Sequence, residues 1–354
     1  MSANIDEFTD TLNAEQYVDL QKLRSYSRYG IPPAIRGEVW LYLLGVLSPD
    51  RTNEITSVRS KYASYANMDK LPPTHAHRLR LECTRYYNRR LVPYARRRRQ
   101  PGLAPNSMTT SAMIRLSLTT SMASTSPGTS SIAVKTNNED EAMDIMAFTT
   151  SVENVLSAYL NRNLATEYHH GLVPLVAPLV WTLKTEAGMY FSFERLMTIR
   201  GHSPLPSPRR SSIFQTDPSL LPPPTEDYTS KHPLPARLTF FMTIFRQFLP
   251  DLFSYFEEEA VDTRELAAAW LESLFSREMP IGMLMRVWDV YFSIQDPMEF
   301  HPFVCLAILT TCKDALEELD QSEVRSMLLS LPVMDVDRVS SGAQELADTG
   351  ADLC

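Results

Sequence analysis

Length, composition and charge exclude several classes of protein. The 354 residues suffice for one large or two ordinary domains, and an apolar content of 44% is normal for a chain that buries a core. A formal net charge of −8 disfavours general affinity for nucleic acid, so we predict no nucleic-acid partner. The four cysteines lack C-x-x-C spacing and predict neither a zinc site nor a disulfide framework, which favours a reducing cytosol.

Further patterns exclude targeting segments and resident cofactors. The first ten residues are acidic, unlike a secretory signal, and the longest apolar stretch, 172–183, is too short to span a bilayer. We expect a cytoplasmic protein. No Gly-rich phosphate loop occurs, so any nucleotide would belong to a partner and we assign no cofactor. His75 and His77 lack a third ligand nearby, and we assign no metal.

Helical spacing of apolar residues dominates the chain and predicts an all-α fold. Two segments interrupt it: 100–138, rich in Ser, Thr and Met, and 201–233, rich in Pro and Ser. We predict that both are disordered, the second as a flexible loop between two helical lobes. The domain prediction is a helical lead-in at 1–29, a central domain at 30–332 and a loose acidic tail at 333–354. The predicted helices cover 14–29, 33–46, 75–97, 141–161, 172–184, 186–200, 234–258, 263–276, 282–293, 299–319 and 322–331.

The segment 30–46 is the most informative part of the chain. Two prolines favour a helix start near residue 33, and apolar residues then recur at helical spacing. Arg36 lies one turn before Trp40. On these residues alone, we interpret the segment as a core helix with one cation–π contact between them.

Four more blocks follow in a fixed order along the chain, at 167–179, 193–197, 270–278 and 287–292. Together with 30–46 they resemble the signatures of the TBC domain, the catalytic module of Rab GTPase-activating proteins, from about residue 30 to about residue 331. This resemblance implies a two-lobed helical domain that binds the GTP form of a Rab-type small GTPase between its lobes.

The resemblance also implies where a catalytic arginine lies. The family signature Ile-x-x-Asp-x-x-Arg is best matched by 79–85, which makes Arg85 the candidate arginine finger and Glu82 the carboxylate that orients it. An arginine supplied in trans accounts for about 10³–10⁵ in GTP hydrolysis rate. The family's following Thr-x-Pro is replaced here by Tyr-Tyr-Asn. Without the family, an arginine-rich helix is usually a solvated face.

The third signature, Tyr-x-Gln-Gly-Met, departs from the family at its glutamine. Tyr168 and Gly171 match as supporting residues, but His170 replaces the glutamine that is thought to position the attacking water. Imidazole offers one donor and one acceptor in directions that differ from those of an amide. Either His170 substitutes poorly, or His169 takes the role, or both histidines merely pack in the turn.

Three functional hypotheses remain open from the sequence. The first is a Rab GTPase activator, and the second is a catalytically weak Rab-binding effector or scaffold in membrane trafficking. The third is a helical adaptor unrelated to GTPases. We expect any peripheral association with endomembranes to come from the partner or from the arginine run 96–99.

Overall fold

The computed structural model describes residues 5–70, 76–99, 144–164, 166–201 and 233–351. The predicted all-α fold is confirmed, because these residues form helices and contain no β-strand beyond a single bridge between Tyr17 and Asp50. The helices of the first part are α1 (Ile5–Leu12), α2 (Leu20–Ser27), α3 (Arg36–Leu43), α4 (Arg51–Ala66), α5 (Ala76–Tyr86), a π-helical turn (Tyr87–Leu91), α6 (Val92–Arg99), α7 (Ile145–Arg162), α8 (Leu172–Thr182) and α9 (Glu186–Ile199). Those of the second part are α10 (Leu234–Phe248), α11 (Pro250–Glu258), α12 (Thr263–Ser273), α13 (Ile281–Ser293), α14 (Pro297–Leu316), α15 (Gln321–Leu329) and α16 (Val336–Ala351).

The helices before residue 202 form one lobe around α8. This helix is apolar on almost every side, which suits a central position, and α3, α5, α7 and α9 pack against it. Its first two turns belong to the sequence block 167–179. The lobe therefore holds that block against α5, the helix that carries Arg85.

The helices after residue 232 form the second lobe. In this lobe α10, α12 and α14 pack together, and α16 lies along α14. Helix α13 joins the lobes, because it contacts α2 and α3 of the first lobe as well as α16. Arg286 of α13 fixes this junction by donating hydrogen bonds to the Arg28 carbonyl at 2.5 Å and to Asp337 at 2.6 Å.

Several predicted helix boundaries are wrong. Helix α3 begins at Arg36 instead of residue 33, since the two prolines lie in the preceding turn. The predicted helix at 234–258 is two helices, because Leu249 leaves helical geometry before Pro250 begins the next one. Helix α4 was not predicted at all. Only Tyr65 of its sixteen residues is buried, so it lacks the apolar periodicity on which such predictions depend.

The prediction of a loose acidic tail is also wrong. Residues 336–351 form α16, which buries Val336, Val339 and Ala343 against the second lobe. The two predicted disordered insertions, 100–138 and nearly all of 201–233, lie outside the described residues. Among the described helices, none has the length and apolar character that crossing a bilayer requires.

Candidate functional site

The first motif forms a buried contact between α3 and α13. The Arg36 guanidinium lies 3.1 Å from the Asp289 carboxylate and donates to the Ile31 carbonyl at 2.8 Å. The indole N–H of Trp40 donates to the same carboxylate at 2.8 Å, and the Ile31 amide does so at 3.0 Å. Asp289 has no solvent exposure. Its two oxygens thus receive donors from three residues, and the contact locks α3 onto the second lobe.

The interpretation that Arg36 stacks on Trp40 needs correction. In the described part of the chain, the two side chains meet on the Asp289 carboxylate, and the Trp40 ring instead packs edge-on against Phe292 with centroids 5.1 Å apart. Burial raises the pKa of Asp289, and the Arg36 charge together with the hydrogen bonds opposes this rise. The geometry is that of a structural junction.

Helix α5 presents Arg85 to solvent. Its opposite face carries Leu79, Cys83 and Tyr86, all buried against the first lobe. Arg85 itself is exposed and makes no hydrogen bond or ion pair with any residue that the structure describes. The guanidinium is therefore available to a partner, while the backbone that carries it is fixed by packing.

Glu82 does not pair with Arg85 as predicted. One carboxylate oxygen lies 3.3 Å from Arg78, one helical turn earlier, and the other accepts a hydrogen bond from the Tyr168 hydroxyl at 2.7 Å. Burial and the neighbouring Glu82 raise the pKa of Tyr168, so its hydroxyl stays a donor at neutral pH. This bond joins the signature segment 79–85 to the sequence block 167–179. Glu82 thus positions the turn beside α5 and does not itself pair with Arg85.

A π-helical turn begins two residues after Arg85. It occupies 87–91, overlaps the Tyr-Tyr-Asn at 86–88 that replaces the family's Thr-x-Pro, and leads without a break into α6. Such π turns inside helices occur frequently at functional sites. The Arg90 guanidinium donates to the Met279 carbonyl in the second lobe, and the Tyr87 ring packs on Phe148 with centroids 5.5 Å apart. The turn anchors the end of the Arg85 helix to both lobes.

The segment that receives Arg90 is itself strained. Leu274 and Phe275 both have positive φ, 50° and 62°, which residues other than glycine seldom adopt. The Ser273 hydroxyl stabilises this bend by donating to Glu278 at 2.6 Å and accepting from the Phe275 amide at 3.1 Å. Burial raises the pKa of Glu278. The sequence block 270–278 thus forms a bend directly before Met279, whose carbonyl accepts from Arg90 of the π turn.

The turn before α8 separates the two histidines. The His169 ring accepts a hydrogen bond from the Gly171 amide at 3.2 Å, and its carbonyl accepts one from Leu172 at 3.1 Å. A Cβ at Gly171 would lie 2.9 Å from the same ring nitrogen, which explains the glycine. His170 is exposed and bonds to no described residue. Both rings are exposed, but the His169 ring is bonded to the turn, whereas His170 has no bond to a described residue.

The surroundings keep His169 neutral. Loss of solvent contact lowers its pKa, and the Arg200 charge lowers it further. The charge of Glu272, in α12, acts in the opposite direction. A neutral ring retains the acceptor nitrogen that the Gly171 amide needs, so this turn stays formed at neutral pH.

The Tyr168–Glu82 hydrogen bond brings the turn that carries His170 and Gly171 beside α5, the helix that carries Arg85. Arg36 and Trp40 lie apart from them in the junction of α3 and α13. Sequence reasoning overlooked Asp289, although a lone acid inside the apolar α13 was a visible signal. It also overlooked Arg90, which no periodicity distinguishes from the neighbouring arginines. Within the described ranges, no three His, Cys, Asp or Glu side chains are arranged to hold a metal ion.

The sequence relatives of this chain carry TBC domains or GTPase-activating functions in their names. It is 24% identical over 341 residues to the GTPase-activating protein gyp1 of Schizosaccharomyces pombe, which covers 94% of this chain and 58% of that protein. It is 26% identical over 212 residues to mouse TBC1 domain family member 13, covering 56% of this chain and 47% of that protein. The chain thus spans little more than half the length of these relatives, or less.

Two solved structures have a similar fold. The crystal structure of the Ypt/Rab-GAP domain of Gyp1p superposes with a TM-score of 0.63 at 19% identity, covering 98% of both chains. The Chlamydomonas flagellar RabGAP TBC domain gives a TM-score of 0.59 at 15% identity, covering 96% of this chain and 90% of that one. Both comparisons support the all-α, two-lobed architecture.

A family model also matches the chain directly. The Rab-GTPase-TBC domain model matches residues 136–317, just over half of the sequence. That range contains His170 and Asp289, whereas Arg36 and Arg85 lie before it. The alignment with gyp1 is longer than the family-model match and covers 94% of the chain. The predicted family resemblance is therefore confirmed, and the chain belongs to the Rab-GTPase-TBC domain family.

Proposed function

We propose that this chain accelerates GTP hydrolysis by a Rab-type small GTPase in its GTP-bound form, with Arg85 as the arginine supplied in trans. One observation carries the proposal: Arg85 is an exposed guanidinium with no described partner, held on a helix whose other face is buried. Side chains that act on another protein's substrate need this combination of an open charge and a fixed backbone. Membership of the Rab-GAP family gives the partner class.

The chemistry assigns separate roles to Arg85 and to the turn that presents His170. Phosphoryl transfer to water needs positive charge on the γ-phosphoryl oxygens and a group that holds the water in line. Arg85 supplies the charge, and its fork can bind two oxygens at once. Tyr168 and Glu82 hold the turn that presents His170, and Gly171 allows that turn to close. The nucleotide and its magnesium ion belong to the partner GTPase.

A second candidate function rests on His170 itself. If imidazole cannot position the attacking water, the chain binds the GTP form of a Rab without greatly accelerating hydrolysis and serves as an effector or scaffold in membrane trafficking. Both proposals imply a cytoplasmic domain, at about 30–332, that reaches endomembranes through its partner. The arginine run at 96–99 is a further candidate contact with membranes.

Single-turnover hydrolysis over a panel of GTP-loaded Rabs, with and without the purified chain, tests these proposals. We expect at least one Rab to hydrolyse its GTP faster in the presence of the chain. Binding of each Rab to immobilised chain is measured in parallel. Binding without acceleration would favour the effector, whereas neither binding nor acceleration across the panel would overturn both proposals.

A further inference from the structure

The helical path that carries Arg85 contacts both lobes, but at different places along its length. Before the π turn, α5 packs on α7 and α8 of the first lobe. Within the turn, the Arg90 guanidinium donates to the Met279 carbonyl of the second lobe. After the turn, the Tyr94 ring of α6 lies against Gly282, where a Cβ would come 3.2 Å from the ring. The two contacted residues of the second lobe lie at the start of α13 or just before it.

The π turn explains why the contacts change from one lobe to the other. An α-helix rotates by about 100° per residue, and a π turn holds about one residue more than an α-helical turn. Side chains after the turn therefore point to a different side of the path. At the first position of the turn, the Tyr87 ring still faces the first lobe, with its centroid 5.5 Å from that of Phe148 and 6.4 Å from that of Trp181. Arg90, three residues later, reaches the second lobe.

The carbonyl that receives Arg90 is held in place by the second lobe. The Met279 side chain has no solvent exposure, and the Met279 amide donates to the Phe275 carbonyl at 3.0 Å. The carbonyl of the preceding residue, Glu278, accepts from the Leu331 amide at 3.0 Å. The peptide groups on both sides of this position are therefore bonded within the lobe. A guanidinium that binds the Met279 carbonyl is thus attached to a fixed point.

We propose that Arg90 is a positioning residue for Arg85, an inference that rests on the proposed function. Arg90 lies five residues after Arg85 on one helical path, and its bond to Met279 sets the position of that path relative to the second lobe. A GTPase that contacts both lobes then meets the Arg85 guanidinium in one place. A displacement of about 1 Å in a catalytic group can cost about 100-fold in rate. Because Arg90 donates to its own chain, we assign it no contact with the nucleotide.

A double-substitution cycle with a responsive Rab tests this role. Arg90→Met removes the donor and keeps an unbranched side chain, and it should lower the maximal stimulated rate by about 10–100-fold. The concentration of chain that gives half of the maximal rate should stay nearly unchanged. In the Arg85→Ala background, Arg90→Met should cause no further loss, because no guanidinium is left to position. Arg90→Lys can still donate to the carbonyl and should recover most of the rate. Arg89→Met, exposed on the same turn, is the matched control and should keep the wild-type rate.

Hydrogen–deuterium exchange of residues 84–92 in the free chain tests the same contact without a GTPase. Arg90→Met should exchange faster in this segment than the wild type, whereas Arg89→Met and Arg90→Lys should not. If no Rab responds to the wild type, the proposed function fails, and this measurement still decides whether Arg90 fixes the helix.

Three results would overturn the inference. The first is equal exchange of residues 84–92 in Arg90→Met and the wild type. The second is faster exchange across the whole chain, which would show a purely structural role for Arg90. The third is an equal fall in rate when Arg90→Met is added to the wild type and to Arg85→Ala, which would mean that Arg90 does not act through Arg85.

Discussion

Two arginines from neighbouring sequence motifs occupy opposite environments in this molecule. Arg36 is 11% exposed, and its Nε and one amino nitrogen donate to Asp289 and the Ile31 carbonyl. Arg85 is exposed and meets no described acceptor. Both stand on helices that pack firmly against the core. The two arginines therefore differ in their partners. Arg36 binds groups of its own chain, whereas Arg85 is open to a group on another protein.

This comparison separates stability from function. When a buried ion pair loses one partner, the other charge stays unpaired in surroundings that solvate it poorly. Such a substitution therefore lowers the free energy of unfolding. An exposed arginine without a partner contributes little to stability. Its removal therefore changes only measurements made with a ligand or partner present. Substitutions at the two positions should therefore affect different measurements.

The largest expected effect is on catalysis at the exposed position. Arg85→Ala should remove about 10³–10⁵ of the stimulated hydrolysis rate, roughly 4–7 kcal/mol of transition-state stabilisation, because the charge on the transferring phosphoryl group is no longer neutralised. Arg85→Lys should remain poor, since an ammonium cannot fork across two oxygens. Single-turnover hydrolysis of a responsive Rab measures both.

Arg89→Ala is the matched control for this substitution, because Arg89 is exposed on the adjoining π turn. It should leave both rate and stability nearly unchanged, and Arg85→Ala should leave the melting temperature unchanged. Full stimulation by Arg85→Ala, with loss of stimulation in Arg89→Ala, would move the finger along the helix.

The next largest effect is on folding at the buried position. Trp40→Ala should reduce the free energy of unfolding by about 3–5 kcal/mol, because it leaves a cavity against Phe292 and removes a donor from Asp289. Trp40→Phe keeps the ring but loses the N–H, and should cost about 1–3 kcal/mol. Urea unfolding measures both. An unchanged melting temperature with lost Rab binding would instead make Trp40 part of the partner interface.

How far the sequence predicts this molecule depends on which signal each region carries. A helix with an apolar face, such as α7, could be located from spacing alone. Helix α4 could not, since its helical state depends on the Asp50 cap and on packing of its few contacts. Helix α16 is acidic and polar on one face, and its charges suggested a free tail although Val336, Val339 and Ala343 mark a buried face.

The candidate site divides in the same way. Its residue types followed from ordered motifs, but their contacts did not. The sequence placed Glu82 one turn from both Arg78 and Arg85, and only tertiary packing decides that it binds Arg78 and Tyr168. Likewise, the sequence does not distinguish the roles of the two adjacent histidines. The hydrogen bond from Gly171 to His169 makes them different.

A smaller effect, on rate alone, is expected at His170. His170→Gln should raise stimulation by about 10–100-fold, because an amide gives the water a carbonyl acceptor and a donor on one plane. His169→Gln is the comparison, and should instead disturb the turn before α8 because its ring accepts from Gly171. Single-turnover hydrolysis at pH 7 measures both variants. Equal rates for wild type and His170→Gln would exclude His170 from the chemistry.

The last prediction concerns a buried histidine, the counterpart of exposed His170. His301 donates from Nε2 to the Trp270 carbonyl at 3.0 Å, which leaves Nδ1 to accept from the Tyr291 hydroxyl at 2.5 Å. Complete burial lowers its pKa to about 3. In the unfolded chain its pKa is about 6.5. The folded state therefore binds fewer protons below pH 6.5, and stability is fully present above that pH and lost as pH falls towards 3.

At pH 5 the difference between the folded and unfolded pKa of His301 lowers the free energy of unfolding by about 2 kcal/mol. Each pH unit below about 6.5 contributes about 1.36 kcal/mol. Urea unfolding at pH 7 and pH 5 should show that loss in the wild type. His301→Gln should be less stable at pH 7 but should lose about 2 kcal/mol less between the two pH values, because it no longer takes up a proton on unfolding. The exposed His77→Gln should keep the wild-type slope. If His301→Gln lost as much stability between pH 7 and pH 5 as the wild type, other groups would account for the acid sensitivity. Burial of the His301 ring would then make no contribution to it.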